Sequence, residues 1–287
     1  MQFDTLTRTA LLTCLAMLCF SANSILCRLA LAPHLIDPVS FTSIRVLSAA
    51  TMLAALHWLR RRKRPRFSCA SLWSIAAVFA YMIFFSFGYV RLSAGTGALI
   101  LLGGVQLTMF SVALREGERF SYLSWAGLAV AFLGLVFLVL PGVTAPDPLG
   151  ALLMTLSGAA WGYFSVLARG ADDPVEVNAS NLLLCIPAAL IATLVFSGEL
   201  QGTATGYLLA TVSGAGATGF GYIFWYLALR GLLPGLAATV QLSMPVIVAL
   251  AGVALLSEPL TGRLVMSSAA VIGGIAIVLW QRSLERA

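Results

Sequence analysis

Long apolar runs follow one another along the whole chain, separated by short polar turns. Ten runs of about 20 residues can be delimited, and a helix of that length crosses a hydrocarbon layer of about 30 Å. The alternating strands that would predict a barrel do not occur in the sequence. We therefore expect an all-α integral membrane protein. Its predicted spans cover residues 9–31, 39–59, 69–90, 95–114, 122–140, 148–168, 177–197, 205–229, 235–256 and 262–281.

The pattern repeats at about half the chain length. Four short matches recur at offsets between 135 and 141 residues. They pair FSANSILCR (20–28) with WGYFSVLAR (161–169), DPV (37–39) with DPV (173–175), VQLTM (105–109) with VQLSM (240–244), and Glu118 with Glu258. We therefore expect two related halves, residues 1–143 and 144–287, with five membrane helices each. Because five is an odd number, the second half enters the membrane inverted relative to the first, as in many transporters.

Composition and charge agree with a membrane location. The chain is 60% hydrophobic and 10% charged, whereas soluble domains are about a quarter charged. Six of the 17 basic residues lie in the loop 60–66, so the net charge of +6 indicates membrane orientation rather than binding to nucleic acid. With the N-terminus inside, thirteen basic residues fall on the inner side and three on the outer side. Both termini are therefore predicted to be cytoplasmic.

Several of these segments together resemble the drug/metabolite transporter superfamily, in its EamA-like family. They are the ten spans, the two repeated nonapeptides, the turn GERFS (117–121), and VQLSMP (240–245) followed by SEPLT (257–261). Within that family the chain is most similar to the YddG-type aromatic amino acid exporters. The resemblance covers nearly the whole chain and implies alternating access in a bacterial cytoplasmic (inner) membrane. The first half lacks a counterpart of Pro245, so residue roles cannot be mirrored between the halves without further evidence.

In an alternating-access bundle the substrate lies near the midplane, between the halves. It would need aromatic walls and hydrogen-bond partners there. Trp161 and Ser165 are four residues apart and share a helix face, as do Tyr81 and Phe85. Such side chains also serve as interface anchors or as hydrogen bonds between helices, and that alternative stays open. The candidate substrate-binding residues are Asn23, Tyr81, Phe85, Gln106, Trp161, Ser165, Tyr222, Trp225 and Gln241.

Three charged residues invite separate hypotheses. Arg45 lies well inside the second span, where it could bind a substrate carboxylate. The preferred alternative is structural: the side chain extends to the outer interface or pairs with backbone carbonyls. Glu118 and Glu258 end their spans on opposite sides of the membrane, and we expect each to anchor the following turn or cap the next helix.

Glycine and proline suggest packing and hinge positions. Residues 214–219 satisfy the pattern GxGxxG, but no strand precedes them, so a dinucleotide site is rejected in favour of close helix packing. Pro187 and Pro245 are predicted to kink the seventh and ninth spans, and both are candidate hinges.

The sequence lacks the motifs of most other function classes. It has no Walker A motif, no HExxH motif and no Cys/His cluster, and no span carries Asp or Glu near its centre. We therefore expect no enzyme activity, no catalytic residues, no cofactor and no metal. The expected partners are a small-molecule substrate and membrane lipid, and the protein could function as a monomer.

These observations predict a secondary transporter of small organic solutes. The resemblance to the family implies export, with aromatic or other neutral amino acids as the first candidates. The main alternative is an exporter of drugs or other metabolites of the same family. A membrane scaffold without transport activity and an intramembrane enzyme are more remote alternatives.

Overall fold

The computed structural model describes residues 2–62, 64–67, 70–117, 120–142, 145–168, 173–232 and 240–285. Apart from an isolated bridge between Ile36 and Gly202, regular structure in these ranges is helical, which confirms the all-α prediction. The helices are α1 (Gln2–Leu31), α2 (Pro38–Arg61), α3 (Leu72–Arg91), α4 (Ala94–Arg115), α5 (Tyr122–Val139), α6 (Pro148–Leu167), α7 (Pro174–Val195), α8 (Ala204–Thr211), α9 (Gly221–Leu229), α10 (Ser243–Leu256) and α11 (Gly262–Glu285). A 3-10 turn lies at Ser197–Glu199, and a π-helical stretch, Val212–Phe220, joins α8 to α9.

Eight helices in the described ranges, α1 to α7 and α11, are long and apolar enough to cross a membrane. The short helix α8, the π-helical stretch and α9 follow one another without a break and cover the predicted eighth span. The shorter apolar helix α10 covers most of the predicted ninth span. The beginning of that span, residues 235–239, lies outside the described residues. The count of ten spans in two inverted halves stays a prediction.

The repeated Asp-Pro-Val segments begin α2 and α7 in the same way. In each, the Asp carboxylate accepts hydrogen bonds from the backbone N–H groups two and three residues further on, at 2.8–3.3 Å. The proline that follows occupies the first helical position, where its missing N–H costs nothing. Asp147 caps α6 ahead of Pro148 in a similar manner, through the N–H of Gly150 at 2.7 Å. The sequence repeat is therefore a repeated helix start.

The helices pack mainly between the two predicted halves. The main pairs are α2 with α7, α3 with α6, α4 with both α6 and α10, and α1 with the continuous stretch from α8 to α9. Helices α5 and α11 also pack closely. Gly127 allows this approach, because a side-chain carbon there would lie only 2.6 Å from the carbonyl oxygen of Gly274. Large apolar side chains such as Leu133 and Met266 are exposed on this pair. A lipid-facing surface has this character.

The largest fully buried side chains lie on α2 and α3. They include Arg45, Phe41, Phe85 and Tyr89. The centre of the bundle therefore contains aromatic rings and a guanidinium group as well as aliphatic side chains.

The glycine-rich stretch at 214–219 forms part of the π-helical turn and packs against α2. A side-chain carbon at Gly214 would overlap the Ser48 hydroxyl, and one at Gly219 would lie 2.9 Å from the Met52 side chain. This confirms the prediction of close helix packing for Gly214 and Gly219, whereas a side-chain carbon at Gly216 would meet only Val212 of its own helical stretch, at 3.5 Å.

The two candidate hinge prolines occupy different positions. Pro187 lies inside α7, and the helix continues through it. Pro245 lies in the first turn of α10, next to a turn at Leu242, so its missing N–H removes no intrahelical hydrogen bond. The role of either residue as a hinge stays a prediction.

Candidate functional site

Five aromatic rings form a column between α3 and α6. Phe164 and Trp161 have ring centroids 5.5 Å apart, Trp161 and Tyr81 4.8 Å, Tyr81 and Phe85 5.5 Å, and Phe85 and Tyr89 4.7 Å. The four-residue spacing on α3 places its three rings on one helix face. We call these five residues the aromatic column. It joins a helix of the first predicted half to a helix of the second.

A branch of the aromatic column extends to α9 and α1. The Trp161 and Tyr222 rings are stacked with centroids 5.9 Å apart. Phe20 of α1 then contacts both Tyr222 and Trp225, at 6.1 and 6.2 Å. The structure therefore connects five of the predicted residues in one set of ring contacts, namely Tyr81, Phe85, Trp161, Tyr222 and Trp225.

Arg45 of α2 lies against the aromatic column. Its guanidinium carbon is 5.3 Å from the ring centre of Tyr81 and 4.9 Å from that of Phe85. Its Nη2 donates a hydrogen bond to the Tyr81 hydroxyl at 3.0 Å. The side chain is 1% exposed. The expectation that Arg45 extends to the outer interface or binds backbone carbonyls is therefore wrong, because it is enclosed and its hydrogen-bond acceptor is a phenol.

The remaining predicted polar residues are not part of the ring contacts. Asn23 of α1 accepts a hydrogen bond from the Ser213 hydroxyl at 2.7 Å, which ties α1 to the π-helical stretch. Ser165 donates to the Trp161 carbonyl of its own helix at 2.7 Å. Gln106 and Gln241 are half-buried, on α4 and just before α10.

A cavity of about 170 Å³ opens at one end of the aromatic column. It lies between the beginnings of α3 and α7 and the end of α6. The Ser74 hydroxyl donates to the Asn181 amide oxygen at 2.6 Å in its wall, and Phe164 belongs to both the cavity and the column. The predicted membrane orientation would put this cavity on the cytoplasmic side.

Charged contacts close the opposite end of the aromatic column. Arg28 Nε lies 3.0 Å from Glu258 Oε1, and Arg28 Nη1 donates to the Tyr89 carbonyl at 2.9 Å. Glu258 Oε2 accepts from the N–H of Ala94, the first residue of α4, at 2.7 Å. We call these four residues the end clamp. The expectation that Glu258 anchors its own turn or caps the next helix is wrong, because its carboxylate caps α4 and Thr261 caps α11. Glu118 lies outside the described residues.

A buried carboxylate ties the cavity end together. Glu176 in the first turn of α7 accepts hydrogen bonds from Arg66 Nε at 3.0 Å and Arg66 Nη2 at 3.2 Å. Among the described residues, no group of three or more His, Cys, Asp and Glu side chains is arranged to hold a metal ion.

Sequence reasoning missed several residues of the site. Phe164 is three residues from Trp161, and Tyr226 is four residues from Tyr222, so helical spacing could have found both. Tyr226 contacts Tyr222 at 6.1 Å, and its hydroxyl accepts a hydrogen bond from the Asn178 amide at 2.7 Å. Phe20 opens the repeated nonapeptide, but the repeat alone gives no signal for ring contacts.

Comparison with known proteins places this chain in a family of membrane transporters. The model of the EamA-like transporter family matches the chain twice, over residues 7–140 and 148–280. A solved crystal structure of a protein 22% identical in sequence has a TM-score of 0.67, with 97% of this chain and 98% of that chain covered. At this identity the likeness concerns the fold alone.

Curated relatives cover most of the chain. Uncharacterized protein PA1977 of Pseudomonas aeruginosa is 49% identical over 276 residues, which are 96% of this chain and 96% of that protein. An uncharacterized transporter of Archaeoglobus fulgidus is 25% identical over 256 residues, 86% of this chain and 90% of that protein. The uncharacterized inner membrane transporter YedA of Escherichia coli K12 is 24% identical over 238 residues, 78% of this chain and 76% of that protein.

Proposed function

This chain belongs to the EamA-like transporter family, and we propose that it exports small organic solutes across a bacterial inner membrane. It is a multi-pass membrane protein with relatives that are named transporters. Aromatic or other neutral amino acids are the proposed substrates, as in the YddG-type exporters that the sequence resembles. We propose that the protein works as a monomer in the lipid bilayer, binds only its small-molecule substrate and needs no cofactor.

The proposed architecture is ten membrane helices in two inverted halves, residues 1–143 and 144–287. The two matches to the family model support it. Helix packing supports it as well: with α8 to α9 counted as one span, span 2 packs on span 7, span 4 on span 9 and span 5 on span 10. Span 1 packs on span 8, and span 3 packs on span 6. These two pairs correspond, because span 6 is the repeat of span 1 and span 8 is the repeat of span 3. Pairs of this kind are expected when a two-fold axis in the membrane plane relates the halves.

The aromatic column is the observation that carries the proposal. Four of its rings are buried and that of Trp161 is partly buried. The column joins both proposed halves and extends from the cavity towards the end clamp. Aromatic walls of this type suit substrates with an aromatic or large apolar side chain. We propose that the substrate binds beside Tyr81 and Trp161 after these rings separate.

Alternating access gives each end of the aromatic column a role. With cytoplasmic termini, which the inner-side excess of basic residues supports, the cavity faces the cytoplasm. The end clamp then keeps the outer side closed while the substrate enters. Release requires the clamp to open and the cavity to close, with Pro187 and Pro245 as the proposed hinges.

Counterflow in proteoliposomes tests this proposal. Vesicles that contain the purified protein and unlabelled phenylalanine are placed in labelled phenylalanine, and we expect saturable uptake of the label. Trp161→Ala is expected to reduce this uptake, because the indole contacts three other rings of the site. Counterflow of labelled drugs or other metabolites, without counterflow of amino acids, would establish the main alternative. No counterflow with any solute would favour a scaffold.

A further inference from the structure

Arg45 is a buried cation without a carboxylate partner among the described residues. Its Nη2 is hydrogen-bonded to the Tyr81 hydroxyl. Its Nε and Nη1 are buried and have no hydrogen-bond acceptor. The ion pairs of the described ranges belong to other arginines, namely Arg28, Arg61, Arg66 and Arg91.

Such a group is unfavourable in the substrate-free protein. Burying a guanidinium removes water from every N–H donor, and each donor without an acceptor adds to the cost. The faces of Tyr81 and Phe85 offset part of this cost through cation–π contacts. Charged side chains inside membrane helices generally face an interior site where a ligand or partner completes their bonding.

A carboxylate is the group that fits these free donors. It has a negative charge and two acceptor oxygens, which match the planar guanidinium better than a single neutral acceptor does. The surroundings of Arg45 are aromatic on the column side. A ligand with a carboxylate at Arg45 would therefore place its remaining atoms against Tyr81, Phe85 or Trp161.

Among the residues that the structure describes, none near Arg45 offers an opposite charge to an ammonium group. Within the described ranges, the Asp and Glu residues lie in loops or in the first or last turn of a helix. The buried carboxylate of Glu176 is engaged by Arg66, and the half-buried carboxylate of Glu258 is engaged by Arg28. The charges near Arg45 therefore suit a monoanion better than a zwitterion.

We propose that this site selects aromatic monocarboxylates through Arg45, and that recognition does not require an α-ammonium group. The proposal rests on the transport function proposed above and names the substrate class of the same site. Three compounds separate the chemical groups. Phenylalanine has both charges, hydrocinnamate lacks the ammonium, and phenethylamine lacks the carboxylate.

Competition and binding test this assignment. In counterflow, external hydrocinnamate should inhibit uptake of labelled phenylalanine at least as well as unlabelled phenylalanine does. Phenethylamine should be at least about 10-fold weaker, because it lacks the charge-assisted hydrogen bonds. Separately, hydrocinnamate should raise the Tm of the purified protein in detergent, since a ligand that binds the folded state stabilises it.

Arg45→Gln and Arg91→Gln form a matched pair of variants. Arg91 contacts Asp147 at 3.5 Å near the surface, so its loss tests for a general effect of one positive charge. Arg45→Gln should lower the apparent affinity for hydrocinnamate at least about 10-fold. Its substrate-free Tm should not fall, because an unpaired buried charge is removed. Arg91→Gln should retain the wild-type response to hydrocinnamate.

The outcomes separate this inference from the proposed function. Equal inhibition by phenethylamine and hydrocinnamate, or an unchanged hydrocinnamate response in Arg45→Gln, would overturn the inference and leave transport intact. If the wild type shows no counterflow with phenylalanine, the amino acid proposal fails. A hydrocinnamate-induced rise in Tm that Arg45→Gln abolishes would then still support the carboxylate site, and no rise in the wild type would overturn it. If Arg45→Gln does not fold, Arg45→Lys is used in its place. A hydrocinnamate-induced rise in the Tm of Arg45→Lys as large as that of the wild type would then count against the inference.

Discussion

Arg28 and Glu258 are 230 residues apart in the sequence, yet Arg28 Nε lies 3.0 Å from Glu258 Oε1. The side chains are 21% and 13% exposed, so water screens this ion pair only in part. Glu258 also accepts the N–H of Ala94 and thereby joins the end of α10 to the beginning of α4. The contact is therefore a tie between the two proposed halves.

Glu258→Gln is expected to loosen this tie. The amide keeps one acceptor but loses the charge, and we predict a loss of about 1–3 kcal/mol in the free energy of unfolding. Hydrogen exchange of the amides at the beginning of α4 should accelerate. Arg91→Gln, which breaks a more exposed pair with Asp147, should change stability by less than about 0.5 kcal/mol. Unchanged exchange in α4 would show that Glu258 does not hold this end.

Trp161→Ala should impair transport more than Tyr163→Ala. Trp161 contacts Tyr81, Phe164 and Tyr222, whereas Tyr163 is on the same helix but 38% exposed. We expect the Trp161 change to raise the half-saturation concentration for phenylalanine at least about 10-fold, since ring contacts and buried area are lost. Trp161→Phe should recover part of the loss. Equal effects of the two alanine variants would remove Trp161 from the proposed site.

Gly214→Val should destabilise the protein by about 1–3 kcal/mol, because an added side chain overlaps Ser48 of α2. Gly216→Val is the matched control in the same π-helical stretch. Its nearest neighbour would be the Val212 side chain at 3.5 Å, an ordinary contact distance. Thermal unfolding of the two variants gives the comparison, and similar Tm values would argue against close packing at Gly214.

Asp37→Ala should lower stability by about 1–2 kcal/mol through loss of the cap on α2. Asp37 Oδ1 accepts from the N–H of Val39 and Ser40, and Oδ2 accepts from the N–H of Gln201 at 3.0 Å. Asp37→Asn retains an acceptor oxygen for the cap and should lose less. If unfolding of the two variants occurs at the same temperature, the cap does not account for the effect.

The sequence could predict features that depend on nearby residues. Hydrophobic run length predicted the helices, and the repeated Asp-Pro-Val segments mark the beginnings of α2 and α7. Helical spacing grouped Tyr81 with Phe85, and the structure places both beside Arg45.

Contacts between distant residues could not be predicted in this way. Glu258 was assigned to its own turn because local caps are common, but its acceptor oxygens face Arg28 and the beginning of α4. The long side chain of Arg45 favours a position at the outer interface or a bond to backbone carbonyls. The sequence does not reveal that the Tyr81 hydroxyl of another helix lies within hydrogen-bond distance. These outcomes depend on how helices from different parts of the chain meet, and periodicity within one helix contains no such information.

The π-helical stretch at Val212–Phe220 also limits how parts can be exchanged between the halves. A π-helix takes more residues per turn than an α-helix, so side chains beyond it are rotated relative to an uninterrupted helix. Tyr222 and Trp225 lie just after this stretch, and Tyr222 stacks on Trp161. A chimera that replaces α8 to α9 with α3, aligned by sequence offset, would direct its aromatic residues to a different side of the bundle. Grafts between the halves should therefore be matched by helix face rather than by residue count.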